Sequence, residues 1–273
     1  MNDLKFGIIQ GRLTQSPHGC LQWFPDKFWE DEFKAASLLG FSFIELIADI
    51  SYNPKNPLWS DEGVELIKQL SIKNNLAVHT LCNDYIINNS ILEKDVISQN
   101  SKLLDCAKKL GIKKYIMPFF NKSEINSNNY KKFICCLKEI ADNAEESGIE
   151  ILLETILTGT QLIELLEDIN HPNVKIVFDT GNRIAFGHDL SHDIEILGDQ
   201  ITHIHIKDKN KDNENVILGT GLVNFSRVFE SLEKISYKGS YVFETTRGNY
   251  PLKTAEYNIQ LVNFFIENSK KNA

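Results

Sequence analysis

The chain has 273 residues, of which 42% are hydrophobic, 24% charged and 10% aromatic, a composition too apolar for disorder. Such a chain buries about three quarters of its unfolded surface, so its core needs no metal or disulfide staple. Its 29 basic and 37 acidic residues leave a net charge of −8, which opposes non-specific nucleic-acid binding and a polybasic membrane contact.

The strand candidates are short apolar runs, in order KFGIIQ, FIELIA, AVHTLCN, YIMPFF, EILLET, KIVFDT, THIHIKD and SYVFETT. Helical periodicity fills the gaps. Trp29, Phe33, Ala36 and Leu39 share one helix face, and Phe133, Leu137, Ile140 and Ala144 repeat that spacing. Leu103, Leu104, Ala107 and Leu110 give a third apolar face, with Gly111 as a helix-ending glycine. Asn170-His171-Pro172 stops the helix before KIVFDT. Strand then helix, about eight times over, predicts a parallel sheet covered by helices. No GxGxxG follows the first strand, so a closed (β/α)8 TIM barrel is favoured over a dinucleotide-binding sheet. With no linker or low-complexity tract, residues 1–273 are expected to form a single domain.

No apolar run approaches the roughly 18–20 residues needed to span a bilayer, and MNDLKFGIIQGR lacks a signal-peptide pattern. Cys20, Cys82, Cys106, Cys135 and Cys136 form no CxxC and are expected to be small buried hydrophobes in a reducing compartment. These features predict a cytoplasmic protein.

Chemistry in such a barrel gathers at the C-terminal ends of the strands. Strand five ends in Glu154, strand six in Asp179 and strand eight in Glu244, while strand seven carries His203 and His205 on one face. Three carboxylates at one half-buried rim would repel one another, and a divalent cation resolves that conflict by taking them as ligands. One imidazole with three carboxylates favours Mn²⁺, Mg²⁺ or Co²⁺, with Zn²⁺ less suited.

FDTGN, HIHIKD, GTGLVNF and FETTRG, in that order, resemble the xylose-isomerase-like barrel superfamily of sugar isomerases and epimerases, most nearly its ketose 3-epimerase and pentulose-phosphate 3-epimerase branches. The resemblance implies Glu154, Asp179, His205 and Glu244 as metal ligands, with His203 deeper in the strand. The chain departs from many free-ketose epimerases at Asn182, where they place a His, and at Lys211, where they place an Arg. The DxGN form instead resembles the pentulose-phosphate branch, which argues against free tagatose or psicose as substrate.

The expected activity is a metal-dependent sugar or sugar-phosphate epimerase or isomerase. Glu154 and Glu244 would act as acid and base on a carbon next to a carbonyl, with the enediolate charge taken by the metal. The partner is then a small-molecule sugar or sugar phosphate. Around this centre, His79, expected to end strand three, and Asn182, Lys207 and Glu45 are candidate substrate or supporting residues. Each also has a plainer reading: a structural histidine, turn chemistry, a solvated lysine and a core ion pair. Arg12 and Arg247 are placed to clamp a phosphate, and GTGLVNF offers backbone N–H groups to an anion or forms a plain turn. The alternatives are a keto-polyol dehydratase, an endonuclease-type metallo-hydrolase and a non-catalytic sugar-binding barrel. Trp23, Phe24 and Trp59 are expected to be exposed, at a homo-oligomer interface or over the mouth.

Overall fold

Apolar runs of four to seven residues alternating with amphipathic helices bury both faces of a sheet only when helices ring it. The computed structural model describes residues 6–17 and 20–272, and it has that architecture. Eight strands pair in parallel and in sequence order to close a barrel. They are β1 (Phe6–Ile9), β2 (Phe43–Ala48), β3 (Ala77–Asn83), β4 (Lys114–Phe119), β5 (Glu150–Thr155), β6 (Val174–Asp179), β7 (Ile201–Ile206) and β8 (Ser240–Phe243). Lys5, the first residue of the expected first strand, lies outside the described residues. The surrounding helices are α1 (Trp29–Leu38), α2 (Asp61–Asn74), α3 (Tyr85–Asn88), α4 (Lys94–Leu110), α5 (Tyr130–Glu145), α6 (Gly159–Ile169), α7 (Thr180–Ala185), α8 (Leu190–Leu197), α9 (Phe225–Lys234) and α10 (Pro251–Asn272). Among the described residues, no helix is long and apolar enough to cross a membrane.

The helix faces bury as their spacing requires: Trp29, Phe33 and Ala36 on α1, Leu103, Leu104 and Ala107 on α4, Phe133, Leu137, Ile140 and Ala144 on α5. Two of the stops are left-handed residues. Gly111 ends α4 at φ 69°, and Asn170 ends α6 at φ 47°. At the N-terminal end of the barrel Phe43 takes the space beside Gly7, where a Cβ would lie 2.3 Å from the Phe43 ring. Two residues along β2, Glu45 shares that strand face. A register shift between Ile176 and Val177 sets Asp179 of β6 level with His205 of β7.

Three expectations about surface residues need correcting. Trp23 is partly buried. Phe24 is buried, 6.2 Å from Trp29 between ring centroids. Trp59 is partly buried between Tyr52 and Tyr85, at 5.3 and 5.9 Å. Of the cysteines, Cys82 and Cys106 are buried, but Cys20 and Cys135 are exposed. Both lie off the apolar faces, Cys20 in the loop after β1 and Cys135 on the outer side of α5.

Candidate metal centre and active site

Four adjacent strands deliver the site. Glu154 lies in β5, Asp179 ends β6, His205 lies in β7 and Glu244 follows β8 directly. All four are buried, and one ligand atom from each lies within 4.8 Å of the others. His205 Nδ1 is 3.1 Å from Glu244 Oε2 and 3.7 Å from Glu154 Oε2. The remaining carboxylate oxygens are held from behind. Asn182 Nδ2 donates to Glu154 Oε1 at 2.7 Å, and the Asn182 backbone N–H donates to Asp179 Oδ1 at 2.6 Å, so that Asp179 also caps α7. Lys207 Nζ lies 2.8 Å from both Asp179 Oδ2 and Glu244 Oε1. Arg12 Nη2 approaches Glu244 Oε1 at 3.5 Å.

These residues suit a divalent ion. His205 Nδ1 and Glu244 Oε2 are buried atoms without a hydrogen-bond partner. Their 3.1 Å separation matches the edge between two ligands whose bonds to one ion are about 2.0–2.4 Å. Three carboxylates and one imidazole form a hard donor set.

The electrostatics set the two glutamates apart. Burial is the largest effect on Glu154; with Asp179 and Glu244 nearby, and against His205, it pushes the carboxyl up to about 8. Burial acts on Glu244 in the same direction, but Lys207, His205 and Arg12 together hold it well below the usual carboxylate range.

The other expected residues take varied places. Asn182 contacts Glu154, as described. Lys207 is a buried cation between the Asp179 and Glu244 carboxylates and not a solvated lysine. Glu45 lies behind His205, on the side away from Glu154 and Glu244: Oε1 is 2.9 Å from His205 Nε2, and Oε2 accepts from His203 Nε2 at 2.9 Å. His79 does not end β3. It is the third residue of that strand, edge-on to Phe43 at 5.2 Å.

The expected phosphate clamp takes a different form. Arg12 is buried and donates to Leu21 O and Gln22 Oε1. Arg247 donates to Gly11 O at 2.6 Å and Cys20 O at 3.2 Å. Both guanidiniums thus brace the loop after β1. The N–H groups of Gly219, Gly221 and Val223 do meet an anion, but it is the Asp208 carboxylate, at 2.9–3.1 Å. GTGLVNF is therefore a turn organised from within.

Asp84 escaped the sequence reading. It directly follows β3, is buried, and accepts from Gln22 Nε2 and Cys82 Sγ, each at 3.2 Å. Its signal was available, because LCND ends an apolar run with two polar residues, as ILLE and IVFD end with one.

Comparison with known proteins finds relatives of the same barrel architecture. L-ribulose-5-phosphate 3-epimerase UlaE of Escherichia coli O8 is 23% identical over 231 residues, covering 79% of this chain and 81% of the relative. An uncharacterized protein of Methanocaldococcus jannaschii is 32% identical over 145 residues; that match covers 49% of this chain and about half, 48%, of the relative's length. Among solved structures, D-psicose 3-epimerase with D-tagatose from Clostridium cellulolyticum H10 superposes with a TM-score of 0.76 at 16% identity, covering 96% of this chain and 99% of the other. D-allulose 3-epimerase from Methylomonas sp. does so with a TM-score of 0.74 at 20% identity, covering 96% and 98%. The family model for the xylose isomerase-like TIM barrel matches residues 33–265, and the chain belongs to that family.

Proposed function

We propose that the chain is a metal-dependent sugar or sugar-phosphate epimerase that inverts a carbon next to a carbonyl. The observation that carries this reading is the approach of Glu154 Oε2 and Glu244 Oε2 to one imidazole nitrogen, His205 Nδ1, from two different strands. The epimerase relatives and structural neighbours support it. Glu154, Asp179, His205 and Glu244 would hold the ion. When bound, a divalent ion supplies a Lewis acid for the negative charge that develops on the sugar's oxygens.

The protein supplies the proton chemistry. Glu244 is paired with the Lys207 ammonium, and its carboxylate serves as the base. Glu154, on the opposite side of the centre, serves as the acid that returns a proton to the other face. Removal of a proton on one face and its return on the other inverts the centre, and the roles exchange in the reverse direction. Asn182 keeps Glu154 Oε1 turned away, leaving Oε2 directed to the centre.

The test is a screen of ketoses and ketose phosphates in D₂O with added Mn²⁺, followed by NMR. Deuterium should enter the carbon next to the carbonyl as the epimer appears, and chelator should stop both. Absence of exchange from every sugar would refute the reading. Release of water with formation of a new carbonyl would identify the dehydratase instead.

A further inference from the structure

Behind His205 lies a buried column of polar side chains contributed by four strands. Glu45 of β2 is at its centre. Its Oε1 lies 2.9 Å from His205 Nε2, and its Oε2 accepts from His203 Nε2 at 2.9 Å and from Thr80 Oγ1 at 2.7 Å. His203 Nδ1 meets Ser240 Oγ at 2.7 Å, at the start of β8. Glu45, Thr80 and His203 are all 0% exposed. An enclosed carboxylate is tolerated only where donors or cations face it; here two hydrogen bonds reach Oε2, and the His205 ring nitrogen faces Oε1 at 2.9 Å.

This arrangement constrains both rings. An imidazole that gives its Nε2–H to a carboxylate leaves Nδ1 as the bare nitrogen. In His203 that nitrogen faces the Ser240 hydroxyl, whereas in His205 it faces the Glu154 and Glu244 carboxylates. The hydrogen bond from His203 to Oε2 orients the Glu45 carboxylate, leaving Oε1 facing His205 Nε2. The trio of Glu45, His203 and His205 is compact enough to suggest a second cation site. Its facing atoms instead lie at ion-pair distance from one another, 2.9 Å in both pairs.

We propose that Glu45 is the positioning residue of the metal centre: it fixes the rotation of the His205 ring and keeps the hydrogen on Nε2, so that Nδ1 is presented to the ion. This rests on the metal-centre reading above. Partners of this kind, behind a ligating histidine, are typically worth about 10–100-fold in metal affinity.

The experiment uses the full chain, freed of metal and titrated with Mn²⁺ alone against a competing chelator. Glu45→Met retains the approximate length of the side chain but accepts from neither imidazole. Its Mn²⁺ affinity should be about 10–100-fold weaker, with the circular dichroism unchanged. An affinity within about twofold of the parent's would overturn the proposal. A measurement on the unaltered chain covers the case in which the variant does not fold. With ¹⁵N-labelled histidine and Cd²⁺ as a diamagnetic probe, the ring whose signals vanish in His205→Asn should show a metal-bound Nδ1 and a hydrogen-bearing Nε2. A metal-bound Nε2 on that ring would equally overturn it. Asp179→Asn separates the two levels of the argument. If that substitution leaves Mn²⁺ affinity unchanged, the metal-centre reading itself fails, and the role of Glu45 with it.

Discussion

The Lys207 ammonium lies 2.8 Å from Glu244 Oε1 and is buried beside it, so a protein cation shares one of the carboxylates assigned to the metal. It pairs with Asp179 at the same distance. Against the cost of burial, Asp179 and Glu244 together hold the amine more firmly protonated than in water. The lysine thereby offsets repulsion among three enclosed carboxylates.

Lys207→Met removes that charge but retains much of the volume. Breaking a buried pair from one side costs about 3–5 kcal/mol, so the metal-free variant should melt several degrees below the parent. Mn²⁺ should restore more stability to the variant than to the parent, because the ion takes over charge that the lysine no longer offsets. Thermal melts of both proteins with and without Mn²⁺ provide the comparison. Equal metal-induced shifts would show that Lys207 carries none of this charge balance.

Asp84 links stability to pH. Burial, reinforced by Glu244 and Glu45 and opposed by Cys82 and Arg12, pushes its carboxyl up to about 7 from 3.8. A carboxyl raised by folding is penalised once the unfolded chain ionises it, so the penalty grows as pH rises from about 4 to about 7 and is complete above that. Asp84→Asn removes it. The variant's stability relative to the parent should improve between pH 5 and pH 8 by about 2–3 kcal/mol, taking about 1.4 kcal/mol per pH unit over that range. Urea denaturation at the two pH values measures this, and a pH-independent difference would place Asp84 in an ionised state throughout.

The strand-end rule found Glu154, Asp179, His205 and Glu244 because each closes or follows an apolar run whose direction the barrel fixes. Alternation along β7 then placed Lys207 on the face of His205. The rule misplaced His79, taken as the end of its strand: β3 runs on to Asn83, with Asp84 directly after it. Arg12 and Arg247 lie in loops, where no period fixes side-chain direction, and their carbonyl partners Leu21, Gly11 and Cys20 follow from the path of one loop. Glu45 was legible as a buried strand residue. Its bond to His203, 158 residues away, depends on closure of the barrel.

The Asp208 carboxylate gathers the N–H groups of Lys209, Gly219, Gly221 and Val223 and so closes the loop after β7 on itself. A Cβ at Gly221 would lie 2.3 Å from Asp208 Oδ1, so the glycine is what permits the approach. Asp208→Ala leaves these donors unmatched and should cost about 1–3 kcal/mol, the range for buried polar groups left unsatisfied. Limited proteolysis should then cut within residues 209–222 before any other segment. Cleavage elsewhere first would mean that the loop is held by other contacts.

The two-glutamate scheme makes the most demanding prediction, because it assigns each carboxylate to one face of the substrate carbon. Glu154 Oε2 and Glu244 Oε2 approach His205 Nδ1 at 3.7 and 3.1 Å, and one oxygen of each is turned away by Asn182 or Lys207. Glu154→Gln and Glu244→Gln should each lower turnover by at least about 10²-fold, the range for loss of one general acid–base group. Their effects on isotope exchange should differ. In each variant the surviving glutamate can still abstract the proton from the epimer that presents hydrogen to its face. Solvent deuterium should therefore wash into one epimer with Glu154→Gln and into the other with Glu244→Gln, although neither variant interconverts the two efficiently. An amide is a poorer ligand than a carboxylate, so the comparison must be made at saturating Mn²⁺, with metal content measured in each sample. If both variants exchange the same single epimer, one base serves both directions and the division of faces is wrong.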